Sequence, residues 1–262
     1  MNRIKSKFEQ LKSANKKALV TFITAGDPDY NSSLELLKSL PDNGADIIEL
    51  GMPFSDPMAD GEAIQKASIR ALENGANMQK TLKMVEEFRE ENSDTPIILM
   101  GYYNPIYIYG VEKFCNDAAK AGVDGFIIVD LPPEEENELL PSATDNKISL
   151  IKLITPTTDM ERLKIITNGA SGFLYYVSIT GVTGTAKADI SKITPHIDMI
   201  RQNTDLPIAI GFGIKTPEDV KQMAALGDAI VVGSVLVKEF ENNNDNSVTK
   251  VQNKVKNLSS AT

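Results

Sequence analysis

The chain has 262 residues, 42% of them hydrophobic, and carries a formal net charge of −9. That hydrophobic share suffices for a sizeable core and lies well outside disordered composition, while an acidic balance with no basic stripe argues against nucleic acid as a partner. A single cysteine, Cys115, and a single histidine, His196, exclude disulfides within the chain, cysteine zinc sites and multi-histidine metal sites.

Taken in order, the chain opens on a Lys-rich stretch, 5–17, that alternates with polar residues and reads as a short solvated helix. It lacks the apolar core of a signal peptide. No later segment approaches the run of about 20 apolar residues that a membrane span requires, so a soluble, cytoplasmic protein is expected. Apolar strand-like runs then recur at 19–24, 46–51, 96–101, 123–129, 149–154, 172–177, 207–211 and 228–233. Amphipathic helical patterns fall between them at 31–40, 78–91, 111–120, 160–167, 190–201 and 217–225, and a polar Asn/Asp patch at 242–246 precedes a final helix. Eight strands alternating with helices predict an α/β fold, a (β/α)8 TIM barrel forming one domain over 1–262. The runner-up, a doubly wound open sheet, lacks a GxGxxG after its first strand.

Two connections are longer than a barrel needs. One follows the second strand and includes 52–61 with an extra helix near 63–73. The other, 178–188 (SITGVTGTAKA), has the small and glycine residues of a mobile lid. Loops after strands share the C-terminal mouth of a barrel, where active sites occur. The stretch 46–61, DIIELGMPFSDPMADG, places a lone carboxylate, Glu49, within an apolar strand. Such a group either pairs with a lysine or has its pKa raised toward the range useful for proton transfer. Asp56 and Asp60, in a loop with Pro53 and Pro57, would on their own serve turns or cap a helix. A Ser-His-Asp device would have to use His196, whose polar helical setting predicts a solvated histidine. Proton chemistry is therefore expected to run on carboxylates and tyrosine.

The seventh strand ends in Gly211-Phe212-Gly213-Ile214 and the eighth in Gly233-Ser234. Glycines after these two strands, with a helix N-terminus, form the recurrent phosphate site of barrels: backbone N–H groups approach the anion and the helix end adds partial positive charge. Gly184 on the lid is a further candidate donor. Phe22, Met100, Ile127, Leu153, Tyr175 and Phe212 lie at or near strand ends and could line a slot for a flat ring. A phosphorylated aromatic substrate would suit these features.

The combination Glu49-Leu50-Gly51, Pro53-Phe54-Ser55-Asp56-Pro57, Ala59-Asp60-Gly61, Gly101-Tyr102-Tyr103-Asn104-Pro105, Asp130-Leu131-Pro132, Gly181-Val182-Thr183-Gly184, Gly211-Phe212-Gly213-Ile214 and Gly233-Ser234 resembles the tryptophan synthase α subunit. The likeness runs in order from about Phe8 to Lys238. It implies aldol-type cleavage of indole-3-glycerol phosphate to indole and glyceraldehyde 3-phosphate, with no cofactor and no metal on this chain. Glu49 matches the catalytic acid/base, Asp60 the carboxylate that binds the indole N–H and offsets ring charge, and Tyr175 the residue beside Glu49. Gly184, Gly213, Gly233 and Ser234 match phosphate contacts, and Thr183 belongs to the lid. The resemblance also implies a partner, a β subunit carrying pyridoxal phosphate in an α2β2 complex, touched by loops around Asp56, Asn104 and Pro132. Met52, Met58, Glu62 and the lid pair Ile179-Thr180 depart from common members of the family.

Three other functions compete. Lys152, inside the apolar run LIKLI, could be a Schiff-base amine, although a lysine snorkelling outward over helix surface is favoured. A phosphate-binding subunit without catalysis, or a lyase working without a β subunit, would share the same motifs.

Overall fold

The computed structural model describes residues 2–177, 190–211, 213–241 and 246–262, with only the backbone of Lys192. The strands are β1 (Ala18–Thr24), β2 (Ile47–Gly51), β3 (Ile97–Gly101), β4 (Gly125–Ile128), β5 (Ser149–Leu150), β6 (Lys152–Ile154), β7 (Leu174–Val177), β8 (Ile208–Gly211) and β9 (Ala229–Val232). All pairings are parallel, in the order β5-β4-β3-β2-β1-β9-β8-β7-β6. β5 and β6 are halves of the run expected as one strand at 149–154. Its first half pairs with β4 and its second with β7, and the division falls at Ile151, whose N–H donates to Phe126 O at 2.9 Å. Because the chain passes directly from one half to the other, the sheet curves round to a nearly closed barrel.

The helices are α1 (Arg3–Ser13), α2 (Tyr30–Ser39), α3 (Glu62–Glu73), α4 (Met78–Arg89), α5 (Tyr103–Tyr109), α6 (Val111–Ala121), α7 (Leu140–Asp145), α8 (Met160–Thr167), α9 (Ile190–Arg201), α10 (Pro217–Ala224), α11 (Ser234–Val237) and α12 (Ser247–Ser259). Side chains alternate across each strand. Val20, Ile47, Ile98, Ile127, Ile151 and Val231 fill the barrel, while Leu19, Ile48, Leu50, Leu99 and Phe126 pack outward on the helices.

Two expectations are corrected here. The N-terminal helix is not merely solvated: Ile4 and Leu11 are buried in the inner cluster and Phe8 lies 5.9 Å from Phe173, so α1 covers one end of the barrel. α5 falls in a stretch given no helix, because Pro105 interrupts the pattern; in the first turn its missing N–H costs nothing, since that donor has no intrahelical acceptor anyway.

A repeated device fixes strand starts at the end away from the mouth. Asp46, Asp124 and Asp228 each precede a strand and each accept, through Oδ2, the N–H of a residue in the neighbouring strand: Leu19 at 2.9 Å, Ile97 at 2.9 Å and Ile208 at 3.0 Å. Ser171 Oγ does the same for Leu150 at 2.9 Å. Asp124 carries most, for it also binds Arg3 at 2.9 Å and Arg89 at 2.7 Å while nearly buried. Burial lowers the Arg89 guanidinium to about 10, partly countered by the Asp124 charge. Asp124→Ala leaves Arg89 buried and unpaired, and is expected to cost about 3–5 kcal/mol. Urea unfolding checks this; an unchanged midpoint would reduce Asp124 to a surface contact.

Candidate active site

Strand alternation turns Glu49 inward, in register with Phe22 on β1 and Ile98 on β3. Its side chain is 0% exposed, and neither carboxylate oxygen has a hydrogen-bond partner among the described residues. With no cation among the described residues to favour the ionised form, desolvation raises its pKa from 4.5 to about 8. No lysine among the described residues pairs with it, and the group holds a proton at neutral pH. Beside it stands Tyr175, whose phenol is held well above its usual range by burial and by the Glu49 charge. Room for that ring comes from Gly211: a Cβ there would sit 2.7 Å from the Tyr175 hydroxyl.

Asp60 reaches the mouth on the loop between β2 and α3. Asp60 N–H donates to Pro57 O at 3.1 Å, and Gln65 on the first turns of α3 donates to Asp60 O at 2.7 Å. α3 is itself clamped to the loop after β1 by a two-pronged bond from Arg70 to Asp27, both contacts at 2.8 Å. Burial raises Asp60 to about 6, opposed by a hydrogen bond from Tyr102. Tyr102 also accepts the Ala59 N–H at 2.9 Å and stacks at a tilt on Phe54, with centroids 5.4 Å apart. Two carboxylates are thus tuned apart, Glu49 protonated and Asp60 ionised near neutrality, an arrangement suited to an acid and a fixed counter-charge.

Phe22, Met100, Tyr102, Val129 and Thr24 share one small cavity with Asp60. The glycine ends expected to hold phosphate, Gly213 after β8 and Gly233-Ser234 opening α11, follow strands that pair with each other. Gly213 has φ +62° and faces open space, and the first N–H groups of α11 have no acceptor within the helix.

The family model for the tryptophan synthase alpha chain matches residues 8–262. The chain belongs to the tryptophan synthase alpha chain family. A protein of Aquifex aeolicus VF5 is 39% identical with a TM-score of 0.92, covering 100% of this chain and 99% of that one. Tryptophan synthase subunit alpha from Legionella pneumophila str. Paris is also 39% identical with a TM-score of 0.92, covering 100% and 98%. Tryptophan synthase from M. tuberculosis in its aminoacrylate-bound form is 28% identical with a TM-score of 0.89, covering 100% and 99%. Membership makes the chain a lyase component that cleaves indole-3-glycerol phosphate in tryptophan biosynthesis.

Against the family's site, the structure sorts the remaining expectations. Ile127 is wholly buried in the inner cluster, and Val129, one inward step nearer the mouth, lines the cavity instead. Leu153 borders a neighbouring, larger cavity. Thr183, Gly184, Phe212 and the whole lid 178–188 lie outside the described residues. Lys152 does point outward, but it does not snorkel: it is 6% exposed, paired with Glu136, and donates to Asn168 O at 2.6 Å. A buried, paired ammonium is no Schiff-base nucleophile. His196 is half-buried rather than solvated, bonded through Nε2 to Thr158 O at 2.7 Å and resting on Tyr176. Among the described residues no group of three or more His, Cys, Asp or Glu could hold a metal, and no helix is long and apolar enough to cross a membrane.

Asp56, Asn104 and Pro132 are all exposed, on segments that follow the adjacent strands β2, β3 and β4. Those segments also present apolar side chains to solvent: Met58 is 79% exposed, Tyr107 64% and Ile108 76%. Tyr102, Thr24, Tyr107 and Ile108 received no role from the sequence. Tyr102 stood within a quoted motif, whereas the exposure of Tyr107 and Ile108 depends on the unexpected α5.

The desolvated carboxyl has a cost that depends on pH. Glu49 ionises near pH 8 when folded and near 4.5 when unfolded, so between those values the folded state binds the extra proton. Its contribution to stability is intact below about pH 4.5 and falls as the pH rises to about 8. Glu49→Gln should therefore gain on the order of 3–5 kcal/mol over wild type at pH 8.5 compared with pH 5. Denaturant midpoints at the two pH values test this, and parallel curves would disprove the assignment.

Proposed function

We propose that Glu49 is the proton carrier of the cleavage and Asp60 its electrostatic partner. The observation that supports this most is a fully buried carboxyl on β2, unpartnered among the described residues, in register with Phe22 of the aromatic-lined cavity, and followed on the loop after that strand by a second carboxylate. Protonated Glu49 delivers its proton to indole C3, which places positive charge on the ring. Asp60 accepts the indole N–H and offsets that charge. The electron pair of the breaking carbon–carbon bond passes to the ring as the glycerol hydroxyl loses its proton and becomes the aldehyde carbonyl of glyceraldehyde 3-phosphate. Glu49, left as carboxylate after the first transfer, takes up that proton and is restored. Tyr175 keeps Glu49 in a dry setting, and Tyr102 aims Asp60. The backbone N–H groups near Gly213, Gly233 and Ser234, with Gly184, hold the phosphate, while Phe22, Met100 and Phe212, with Val129 in place of Ile127 and Leu153, line the indole slot under a lid that includes Thr183.

The partner we propose is a tryptophan synthase β subunit carrying pyridoxal phosphate, in an α2β2 complex in the cytoplasm. The solved M. tuberculosis relatives are described as tryptophan synthase, and the apolar exposure around Asp56, Asn104 and Pro132 is the kind of patch that marks a protein interface.

Glu49→Gln is expected to lower cleavage by at least ~10²–10⁴ while a phosphate-bearing ligand still binds; wild-type turnover would remove Glu49 from the role. Tyr102→Phe, which withdraws the hydrogen bond to Asp60, should lower kcat about tenfold with Glu49 untouched. Equal kcat values would leave Tyr102 a packing residue. Indole release from indole-3-glycerol phosphate should be slow for the chain alone and rise when a β subunit is added. Fast release indifferent to the β subunit would indicate a free-standing lyase, and none at all a subunit that only binds phosphate.

A further inference from the structure

A cavity of about 510 Å³ lies beside the mouth, and its lining is unusual for a barrel. Val129, Ile151 and Leu153 face the interior, whereas Ile128, Leu150 and Lys152 face the helices, yet all six border this one space. Successive residues of a strand point to opposite faces, so a cavity bordered by both sets passes through the sheet. The ladder agrees. Pairing of β4 with β5 ends at Phe126 and Leu150, and Ile151 N–H to Phe126 O follows. Beyond it no pairing joins β4 to β6 among the described residues. The wall is parted there, and Val129 on its rim also lines the cavity that contains Asp60.

Each charged group around the opening already has a polar partner. Lys152 pairs with Glu136, Arg162 pairs with Glu134, and Asp130 accepts the Tyr103 N–H at 2.8 Å. Among the described residues both cations that line the opening are held in ion pairs, so an anion finds no free cation there, and one oxygen of Asp130 is already bonded to backbone. Of the remaining lining, Ile166, Leu131, Pro132, Pro133 and the aliphatic strand residues are apolar, and Thr155, Thr157 and Thr158 add hydroxyls that bond to one another and to the Thr155 N–H. The volume lies within the roughly 300–1,000 Å³ of small-molecule pockets. A neutral, flat, mostly apolar molecule is the fitting occupant, and the reaction next door releases one.

We propose that the parted wall between β4 and β6 is a second binding site for neutral indole, entered sideways from the mouth past Val129. This rests on indole being the product formed at the mouth. After the carbon–carbon bond breaks, indole no longer carries the phosphate that held it. Sliding into the wall separates it from Glu49 and Asp60 and so opposes the reverse reaction.

The test is equilibrium dialysis of labelled indole against the full-length chain, with cleavage assayed on the same samples. Wild type should bind two indoles, and one when a non-cleavable indolylalkyl phosphate saturates the mouth. Ile166→Phe, which projects a ring into the side cavity from α8, should weaken the analogue-resistant indole by roughly tenfold or more and leave kcat for cleavage within about twofold. Leu131→Phe, on the opposite rim, gives a second reading should the first variant fold poorly. One indole bound by an active wild type, wholly displaced by the analogue, would overturn the inference while leaving the reaction intact. So would a second indole that both variants bind unchanged. An inactive wild type would instead overturn the reading on which the inference rests.

Discussion

The upper half of this barrel depends on one unfavourable act, the burial of the Glu49 carboxyl with nothing among the described residues to pair it. A carboxylate in such a place is expensive, so the group keeps its proton at neutral pH, and a carbon acid/base needs that property. Any lysine or arginine in reach would stabilise the charged form and cancel the effect. The barrel interior provides the needed surroundings because its inward residues are largely branched aliphatics and aromatics, contributed by most of the strands. Tyr175 adds a hydroxyl without adding a cation. Asp60, by contrast, sits on a loop, partly open and held by Tyr102, and ionises earlier. The difference between strand and loop is what makes two carboxyl groups chemically unlike.

Holding Glu49 in a dry interior requires a barrel that stays closed, and the end away from the mouth supplies the fastening. Asp46, Asp124, Asp228 and Ser171 each stitch a strand start to its neighbour through a backbone N–H. Arg3 ties α1 to the same fastening, and α1 covers the barrel end with Ile4 and Leu11. The carboxylates that stitch strand starts thus gather at one end and the groups that react at the other, as barrels in general divide their labour. The weakest seam is where β4 meets β6, and it lies level with the mouth rather than with the fastening. An opening there adds reach to the site without loosening the base.

Much of this could be read from residue order. The alternation of apolar runs and amphipathic stretches located every strand to within a few residues, and helices α8 and α9 at their observed bounds. It did so because backbone hydrogen bonding and side-chain periodicity are local properties. α5 escaped because a proline in a first helical turn looks like a break. The solvated helices assigned to residues 5–17 and around His196 misjudged burial for a related reason: polar residues at the surface of a helix say little about what covers its other side. Lys152 shows the same limit, since its partner Glu136 lies sixteen residues away and beyond a turn of the barrel wall.

For this protein the sequence alone determined the barrel, the family, and the candidacy of Glu49 and Asp60, because a lone carboxylate in an apolar strand and a specific loop motif are visible without coordinates. Only the tertiary structure decided that Glu49 has no counter-ion among the described residues, that Tyr102 restrains Asp60, that Lys152 is a closed ion pair, and that the wall is parted between β4 and β6. Each of these depends on which groups meet through space, and it is desolvation and pairing, not residue type, that set the charge a side chain carries.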